Sequence, residues 1–443
     1  MREQPAGFRA FVLVWAGQVV SLLGSAMTWF AFTIWAYQIT GEATALALLS
    51  FFAFGPALLL SPVAGVVVDR WPRKRVMILS DVTAALGTAV VLVLHMAGSL
   101  QIWHLYVVGM LAGAFQVFQY PAYAASITLM VPKEQYARAS GMLEMAHSAP
   151  IILAPLLAGS VLGIVGVDGI MIFDLFTFAF AITILLVVQV PEPCPSERGG
   201  DVETSLWGQS LYGFRYIMAR PGLLRLQLLY ATGNLLDYTA FVLFAPMLLA
   251  RTAGQELVLG TVQSVGAAAG LAGAVVLSAW GGPKRRIHGV LIGWMLSSAG
   301  LVVMGIGQIV PVWLVAGAMY AFFEPIVNGS DQAIWQAKVE PGAQGRVFAS
   351  QSMITQIAMP AAMLVAGPLA DYVFEPALMP GGALAAPLGW LVGVGPGAGM
   401  GLMIAMAGVM GIFVPLFGYL LHSVRNIESV MPDYGTVPTQ GAP

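Results

Sequence analysis

Long apolar runs separated by short polar turns constrain this chain more than any other feature of its sequence. A helix needs about 20 apolar residues to cross a bilayer, and twelve runs are of that order. Hydrophobic residues make up 58% of the chain and charged residues only 9%, whereas soluble domains carry about 25% charged residues. The sequence therefore predicts an all-α polytopic membrane protein, and not a barrel of strands with alternating hydrophobicity.

The predicted spans form two groups of six. They are 9–37, 44–68, 76–97, 102–130, 137–165, 168–190, 222–250, 257–281, 287–307, 311–336, 348–372 and 397–421. We predict a first six-helix bundle over 1–190, a cytoplasmic linker over 191–220, a second six-helix bundle over 221–425 and a cytoplasmic tail over 426–443. The linker is expected to contain a short amphipathic helix near Leu206–Met218. Because no small-residue cleavage site closes the first run, it is interpreted as a retained span.

The basic residues indicate how the spans are oriented, because Lys and Arg beside membrane helices are retained on the cytoplasmic side. With both termini in the cytoplasm, only Arg251 of the 19 Lys and Arg residues falls on the outer side. One span too few or too many would place Lys and Arg on both sides of the membrane and remove this asymmetry. The sequence thus predicts a multi-pass protein of the cell inner membrane with both termini cytoplasmic.

The two predicted halves repeat each other in their cytoplasmic turns. Pro72-Arg-Lys-Arg after the second span is matched by Pro283-Lys-Arg-Arg after the eighth. The turn from Val131 to Arg138 after the fourth span is matched by the turn from Val339 to Arg346 after the tenth, with the same spacing. Two related six-helix halves are the expected build of a rocking transporter that binds its substrate between them near the midplane.

The turn between the second and third spans carries a specific motif, Gly-x-x-x-Asp-Arg-x-x-Arg-Lys. Its residues are Gly65, Asp69, Arg70, Arg73 and Lys74. The motif resembles the loop motif of the major facilitator superfamily of secondary transporters. The resemblance implies the twelve-helix fold of that family, with two pseudo-symmetric bundles, and a charged latch in which Asp69 breaks and remakes contacts as the cavity opens inward. The alternative is a basic turn that only orients the chain.

A closer resemblance, over about residues 8–425, is to the exporter branch that includes enterobactin-type siderophore exporters and macrolide efflux permeases. The segments that carry it are Ser21-Leu-Leu-Gly24, Val131-Pro to Arg138, Gln344-Gly-Arg346-Val-Phe and Gly367-Pro-Leu-Ala-Asp371. Span 5, with Pro150 and Pro155, also resembles a Gly/Pro-rich exporter motif in which alanine replaces some glycines. Two departures are Ser25, where many relatives have an acid, and a fourth span with no Lys or Arg.

Ionisable residues inside membrane spans are energetically costly, and so they indicate functional positions. Asp237 lies midway along span 7. Glu324, Asn328 and Asp331 share one face of span 10, since they recur at steps of four and three. Spans 7 and 10 border the central cavity in the implied architecture. We therefore predict Asp237 and Glu324 as proton-coupling residues, with Asp331 second. The alternative is that each is a structural acid hydrogen-bonded between helices.

The candidate residues of the substrate cavity are neutral or aromatic, which suits an amphipathic or hydrophobic solute more than a sugar or a small ion. They are Gln18, Ser25, Trp29, Gln116, Gln119, Tyr123, Asn234, Tyr238 and Asn328. For the aromatic members, packing against lipid or other helices is the alternative.

Other charged residues are assigned by their depth along the spans. Arg138 and Glu144 are predicted to join the loop motif in a cytoplasmic gate, and Asp81 and His147 are expected in the same network. Asp174 and Asp371 lie near the outer ends of their spans, where we expect them at the interface. His95, beside an outer turn, is expected to be solvated.

Several classes of function are excluded by what the sequence lacks. The glycine run Gly393 to Gly401 follows no strand, so it predicts a flexible outer turn that runs into a close helix contact, and not a nucleotide loop. A single cysteine, Cys194, and the absence of metal-ligand spacing argue against a disulfide framework, a metal site or a cofactor. No catalytic set is found, and a net charge of −2 gives no reason to expect nucleic acid as a partner.

The combined prediction is a monomeric secondary active exporter of small drug- or siderophore-like amphipathic molecules, working in the lipid bilayer by alternating access and proton antiport. One alternative is an importer or facilitator of a small metabolite or lipid. A non-transporting membrane sensor and an intramembrane enzyme are less favoured, since the tails are short and no nucleophile–base pair occurs in the spans.

Overall fold

A computed structural model describes residues 7–132, 135–188, 206–340 and 343–430, and these ranges are helical with no β-strand. Within these ranges, some side chains lie outside the description, namely those of 61–70, 125, 127–129, 136, 137, 140, 206–211, 345 and 349. The first five helices are α1 (Phe8–Thr40), α2 (Ala43–Arg70), α3 (Arg73–Met96), α4 (Ile102–Met130) and α5 (Tyr136–Val187).

Predicted spans 5 and 6 follow each other without a loop in α5. Its 52 residues contain one residue with non-helical dihedral angles, Gly166, at φ 69° and ψ 178°. Glycine populates positive φ readily because it has no Cβ. Two helices, 136–165 and 167–187, therefore meet across a kink at Gly166.

The next five helices correspond to the linker helix and spans 7 to 10. They are α6 (Leu206–Met218), α7 (Pro221–Arg251), α8 (Glu256–Trp280), α9 (Arg286–Ile306) and α10 (Val310–Lys338). The short linker helix is confirmed with the bounds that the sequence predicted.

Span 11 is divided into α11 (Gln344–Gln356), α12 (Ala358–Leu369), a π-helical turn (Ala370–Phe374) and α13 (Glu375–Leu378). The break after α11 has a local cause, since Pro360 lacks the N–H that would bond to the carbonyl of Gln356. An outer helix that the sequence did not predict, α14 (Ala385–Val392), precedes α15 (Ala398–Leu420), α16 (His422–Arg425) and α17 (Ile427–Val430).

The number of membrane crossings follows from these helices. In the described part of the chain, eleven helices are long and apolar enough to span a bilayer. The helix α5 counts once among them although it holds two crossings, so dividing it at Gly166 gives twelve. The predicted all-α, twelve-span architecture is confirmed.

Large apolar side chains are exposed along the spans, as a lipid solvent requires. Leu59, Ile164 and Leu420 expose 79%, 84% and 81% of their surface. In water such extensive apolar surface would favour association. These residues therefore mark faces of the helices that contact lipid.

The chain separates into two compact units. The first consists of Met1–Val202 with Thr252–Ser264, and the second of Glu203–Arg251 with Val265–Pro443. The start of α8 belongs to the first unit, where Ser264 Oγ donates to the carbonyl of Ile152 at 2.6 Å. The domain boundaries drawn from the sequence stay predictions, and linker residues 191–205 and tail residues 431–443 lie outside the described residues.

Each unit has an apolar core near the helix ends that carry its basic turns. In the first unit the core includes Phe11, Met77, Met130 and Leu185. In the second unit it includes residues of α6, α7, α9, α10 and α17: Ile217, Leu226, Leu291, Trp335 and Ile427. This packing holds together the helix ends that carry the basic turns of each unit.

The glycine run of the second unit is held by side chains, so its first part is not the flexible turn that the sequence predicted. Its end does make the predicted close helix contact, since a Cβ on Gly401 would lie 2.7 Å from the carbonyl oxygen of Gly305. The Arg251 guanidinium donates to the carbonyls of Gly307, Val392 (2.8 Å) and Gly397 (3.2 Å). The Glu375 carboxylate accepts hydrogen bonds from the N–H groups of Gly397 and Met400 at 3.1 and 2.8 Å. Arg251 and Glu375 thus fix the turn that starts α15.

Candidate functional site

A buried carboxylate on α3 is the centre of a polar network in the first unit. Asp81 is 2% exposed, and it accepts hydrogen bonds from Gln18 Nε2 at 3.0 Å and Gln119 Nε2 at 2.6 Å. Gln119 also donates to Gln18 Oε1 at 3.0 Å. Asp81 was expected in the gate network, but its partners are two of the predicted cavity residues, because α4 packs against both α1 and α3.

A recess beside this network collects most of the cavity candidates of the first half. Its lining is Gln18, Leu22, Gln116, Gln119, Tyr120, Tyr123 and His147. The buried hydroxyl of Tyr123 has no hydrogen-bond partner among the described residues. The recess therefore offers amide, phenol and aromatic groups to a ligand.

Glu144 and His147, assigned to the gate from sequence, contact the rim of this recess. Tyr120 Oη donates to Glu144 Oε1 at 3.4 Å. The Tyr120 and His147 rings meet edge to face with centroids 4.7 Å apart. These contacts connect both residues with the recess, and a role in the gate stays a prediction.

The loop motif is only partly described. The side chains of Gly65, Asp69 and Arg70 lie outside the described residues. Lys74 Nζ donates to the carbonyls of Leu186 and Val188 at 3.1 and 2.9 Å, which satisfies backbone groups left unpaired at the end of α5.

Two further gate candidates have described side chains. Arg138 lies over the ring of Phe8, with 4.7 Å between guanidinium carbon and ring centroid, a favourable cation–π geometry. Arg73 is partly buried at the start of α3. The charged latch stays a prediction.

Asp174 is not at the interface, contrary to its expected position. It is 1% exposed, and it accepts hydrogen bonds from Ser25 Oγ on α1 at 3.3 Å and Thr88 Oγ1 on α3 at 3.1 Å. Depth along a span does not tell which face of the helix packs against its neighbours. Ser25, a predicted cavity residue, is therefore a partner of a buried acid in the same unit.

His95 is also paired and not simply solvated. Its Nδ1 lies 2.6 Å from Asp168 Oδ1, and its ring packs edge-on against Trp35. Trp29, a cavity candidate, packs in the same way against Phe54 with centroids 6.5 Å apart. For Trp29 the described contact is thus helix packing.

The second unit brings two membrane carboxylates together. Asp237 on α7 and Glu324 on α10 are half-buried, and they interact electrostatically with each other. Ser297 Oγ on α9 and Asn328 Nδ2 each donate to Glu324 at 3.3 Å. The two carboxylates therefore repel each other when both are ionised.

Tyrosines surround this pair. Tyr230, Tyr238 and Tyr320 all interact electrostatically with both Asp237 and Glu324. Tyr238 was predicted as a cavity residue, whereas Tyr230 and Tyr320 were missed. The signal was present, because Tyr230 precedes Asp237 by two helical turns and Tyr320 precedes Glu324 by about one turn, which puts each on the same face.

Asp331 lies in an amide network of its own. It is 5% exposed and accepts a hydrogen bond from Gln351 Nε2 at 3.0 Å. Gln227 Nε2 in turn donates to the carbonyl of Gln351 at 3.2 Å and to Thr355 Oγ1 at 3.0 Å. The sequence missed Gln351, because nothing in the chain indicates that span 11 packs on this face.

The last cavity candidates differ in their surroundings. Asn234 Nδ2 donates to the carbonyl of Tyr230 in its own helix at 2.9 Å. Asn328 is exposed beside Glu324. Of the two, Asn328 is better placed to meet a ligand of the second unit.

Twelve apolar crossings, with buried carboxylates among neutral polar side chains in each unit, define a polytopic helical protein of the membrane-transporter class. The chain belongs to the Major Facilitator Superfamily, whose family model matches residues 14–363. Membership makes it a multi-pass membrane transport protein for a small-molecule substrate, and not an enzyme.

Among its relatives, Macrolide efflux protein A of Streptococcus pyogenes is 26% identical over 373 residues, covering 82% of this chain and 90% of the relative. Multidrug efflux pump Tap of Mycolicibacterium fortuitum is 26% identical over 361 residues, covering 79% and 86%. The predicted resemblance to the macrolide-efflux branch is confirmed.

Solved structures share the fold. A bacterial homologue of the human lysosomal transporter Spinster, inward-facing and unoccupied, has a TM-score of 0.66 at 15% identity and covers 94% of this chain and 98% of its own. A bacterial homologue of the iron transporter ferroportin, inward-facing, has a TM-score of 0.65 at 18% identity and covers 92% and 98%. At these identities the likeness concerns the fold alone.

Proposed function

We propose that this chain exports small amphipathic molecules by alternating access and that protons entering the cell drive the export. The observation that carries the proposal is the pair Asp237 and Glu324, two half-buried membrane carboxylates close enough to interact. Intramembrane carboxylates mark proton relays in pumps and transporters. A proton taken up by this pair from the outside and released inside would couple the cycle to the proton gradient.

The substrate class is proposed from the recess of the first unit and from the relatives. The recess is lined by Gln116, Gln119 and Tyr123 together with aromatic surface, and this neutral lining favours weakly polar molecules. Relatives named as macrolide and multidrug efflux proteins favour the same class. Drug- or siderophore-like amphipaths are the proposed cargo, and an importer or facilitator of a metabolite or lipid is the alternative.

The surroundings of the transport unit are part of the proposal. The asymmetry of the basic residues supports an inner-membrane location with both termini in the cytoplasm. Asp69 and Arg70 are proposed as the cytoplasmic latch. Two six-helix domains joined by the linker 191–220, in a monomer, complete the proposed organisation.

Purified protein in proteoliposomes tests the coupling directly. A macrolide probe is added to vesicles that contain a pH-sensitive dye, and proton movement and probe accumulation are recorded together. We expect substrate-dependent proton flux in the parent chain, a large loss in Asp237→Asn and Glu324→Gln, and near-normal flux in Glu256→Gln, a carboxylate at the start of α8 outside the proposed relay.

Two outcomes would contradict the proposal. If adding the probe changes the internal pH in no preparation, protons do not drive transport. If both Asp237→Asn and Glu324→Gln retain proton-driven transport, these two carboxylates are structural acids.

A further inference from the structure

We propose that the oxygen cluster around Asp174 in the first unit binds a dehydrated sodium ion. The cluster consists of the Asp174 carboxylate and the hydroxyls of Ser25, Thr28, Thr88 and Thr177. The inference depends only on the geometry of the first unit, and it holds or fails independently of the exporter proposed above.

The first argument is the isolation of the charge. Asp174 is 1% exposed, and Thr28, Thr88 and Thr177 are 3%, 5% and 3% exposed. The groups that interact with the carboxylate are hydroxyls, and no Lys, Arg or His side chain contacts it among the described residues. A buried carboxylate without a cationic partner is costly in a membrane, and a bound cation would offset that cost.

The second argument is the spacing of the oxygens. Hydroxyls that donate to an ionised carboxylate usually approach to about 2.5–2.7 Å. Here Ser25 Oγ and Thr177 Oγ1 lie 3.3 and 3.5 Å from Oδ1, and Thr88 Oγ1 lies 3.1 Å from Oδ2. Oxygens that share a metal ion at about 2.3–2.6 Å, as around Ca²⁺ of similar radius, stand about 3.2–3.7 Å apart at right angles. The observed spacings are close to that range.

The third argument concerns the hydroxyl protons. Thr177 Oγ1 donates to its own helix, to the carbonyl of Asp174, at 2.7 Å. Its lone pairs therefore face the carboxylate, and two acceptors in that position repel unless a proton on the carboxyl or a bound cation lies between them. Thr28 Oγ1, buried beside the same carboxylate, has no partner of hydrogen-bonding geometry among the described residues, so its lone pairs are available too.

The space for the ion depends on Gly24. A Cβ at this position would lie 2.9 Å from Asp174 Oδ1 and would also collide with Thr177 Oγ1. Any larger residue would crowd the cluster, so glycine at this position lets α1 approach the acid on α5 closely. The site is thus bounded on three sides by α1, α3 and the second half of α5.

The chemistry of the cluster selects the ion. Five hard oxygen-bearing groups suit a hard cation. A single carboxylate neutralises one positive charge, so a divalent ion would leave a net charge buried in an apolar unit. Clusters of three or more His, Cys, Asp or Glu side chains, as transition metals prefer, do not occur among the described residues.

Sodium binding can be measured on the purified full-length chain without any transport substrate. Thermal unfolding is followed in NaCl and in choline chloride of equal ionic strength, and ²²Na⁺ retention is counted on the same samples. We expect a saturable rise of the unfolding midpoint with Na⁺ and saturable ²²Na⁺ retention. Asp81→Asn, which alters the other buried carboxylate of this unit, should keep both effects.

Three variants of the cluster complete the test. Asp174→Asn should reduce ²²Na⁺ retention to background, and Gly24→Ala should do so by filling the site. If either misfolds, Thr88→Val, which keeps the carboxylate and the volume, should still weaken Na⁺ binding several-fold.

Several results would overturn the assignment. One is an unfolding midpoint that Na⁺ and choline change equally. Another is ²²Na⁺ retention that is the same in Asp174→Asn and in the parent chain. A third is an unfolding midpoint that responds to pH but not to Na⁺ at any pH. The last would make Asp174 a proton site instead. Because no substrate is present, none of these results bears on the exporter proposal.

Discussion

Asp81 and Asp174 in the first unit each lie alone among neutral partners, whereas Asp237 and Glu324 in the second unit lie beside each other. A lone carboxylate surrounded by amide or hydroxyl groups is held in one arrangement by those groups. Paired carboxylates compete for a proton, and their preferred state changes with small changes in their surroundings. We therefore expect replacement of the lone acids and replacement of the interacting acids to have different effects.

Asp331 shows that the difference between lone and paired acids depends on their neighbours and not on the unit to which they belong. It belongs to the second unit, yet Gln351 bonds to it much as Gln119 bonds to Asp81. From this comparison we expect Asp331 to act as a structural acid, which was the alternative to its role as a second coupling candidate.

The largest expected effect separates paired from lone acids in transport. Asp237→Asn or Glu324→Gln should lower the proton-driven rate at least about tenfold, which corresponds to about 1.4 kcal/mol. Asp331→Asn should lower it only slightly, because its partner Gln351 can donate to the amide oxygen of an asparagine in its place. The vesicle assay measures the transport rate of all three variants. An equal loss of rate in Asp331→Asn would contradict the distinction between paired and lone acids.

Next in size are glycines beside the acids of each unit. A Cβ on Gly233 would collide with the ring of Trp294, which lies beside Asp237, and a Cβ on Gly24 would meet Asp174. Overpacking of this kind costs about 1–3 kcal/mol, so both alanine variants should unfold at lower denaturant. Gly141→Ala, with no atom within 4 Å of its Cβ, is the control, and a similar loss there would point to a general helix effect.

A smaller effect concerns additivity of stability changes. Asp237→Asn and Glu324→Gln each relieve the same repulsion, so together they should gain less than the sum of their separate effects, by about 1 kcal/mol. Asp81→Asn and Asp174→Asn share no partner and should add within about 0.5 kcal/mol. Double-mutant cycles of unfolding give both numbers, and coupling of equal size in the two units would refute the comparison.

The smallest expected effect compares the basic turns. Lys74 binds carbonyls at the end of α5, and Arg286 Nη1 binds the carbonyl of Ala333 on α10 at 2.7 Å. Lys74→Met and Arg286→Met should each cost about 0.3–1 kcal/mol, since both contacts are solvent-accessible. The exposed Lys284→Met is the control for loss of charge alone. Equal unfolding midpoints in the three variants would show that the hydrogen bonds of Lys74 and Arg286 do not contribute to stability.

The spans and their number could be predicted because length and hydrophobicity are properties of single segments. The helix α6 was found for the same reason. The break at Gly166 falls between the predicted spans 137–165 and 168–190, but its form could not be predicted, since a glycine at this place is compatible with a kink or a loop.

The site was harder to predict than the fold, because its residues meet only when helices pack. Asp237 and Glu324 were found as isolated costly charges, but nothing in the sequence indicated that they are neighbours. Asp174 was misplaced, since its hydroxyl partners lie on α1 and α3. The outer glycine run was taken as flexible because the sequence does not indicate that Arg251 and Glu375 reach it.

The anchoring of Arg251 bears on how α7 can move. Its guanidinium ties the C-terminal end of the helix to three backbone carbonyls, and Asp237 lies fourteen residues, or about 21 Å, before it. If that end acts as a pivot, a swing of α7 carries its first residue, Pro221, about twice as far as Asp237, in the ratio of their distances from the pivot. A modest shift at the carboxylate would then become a wide excursion at the start of α7.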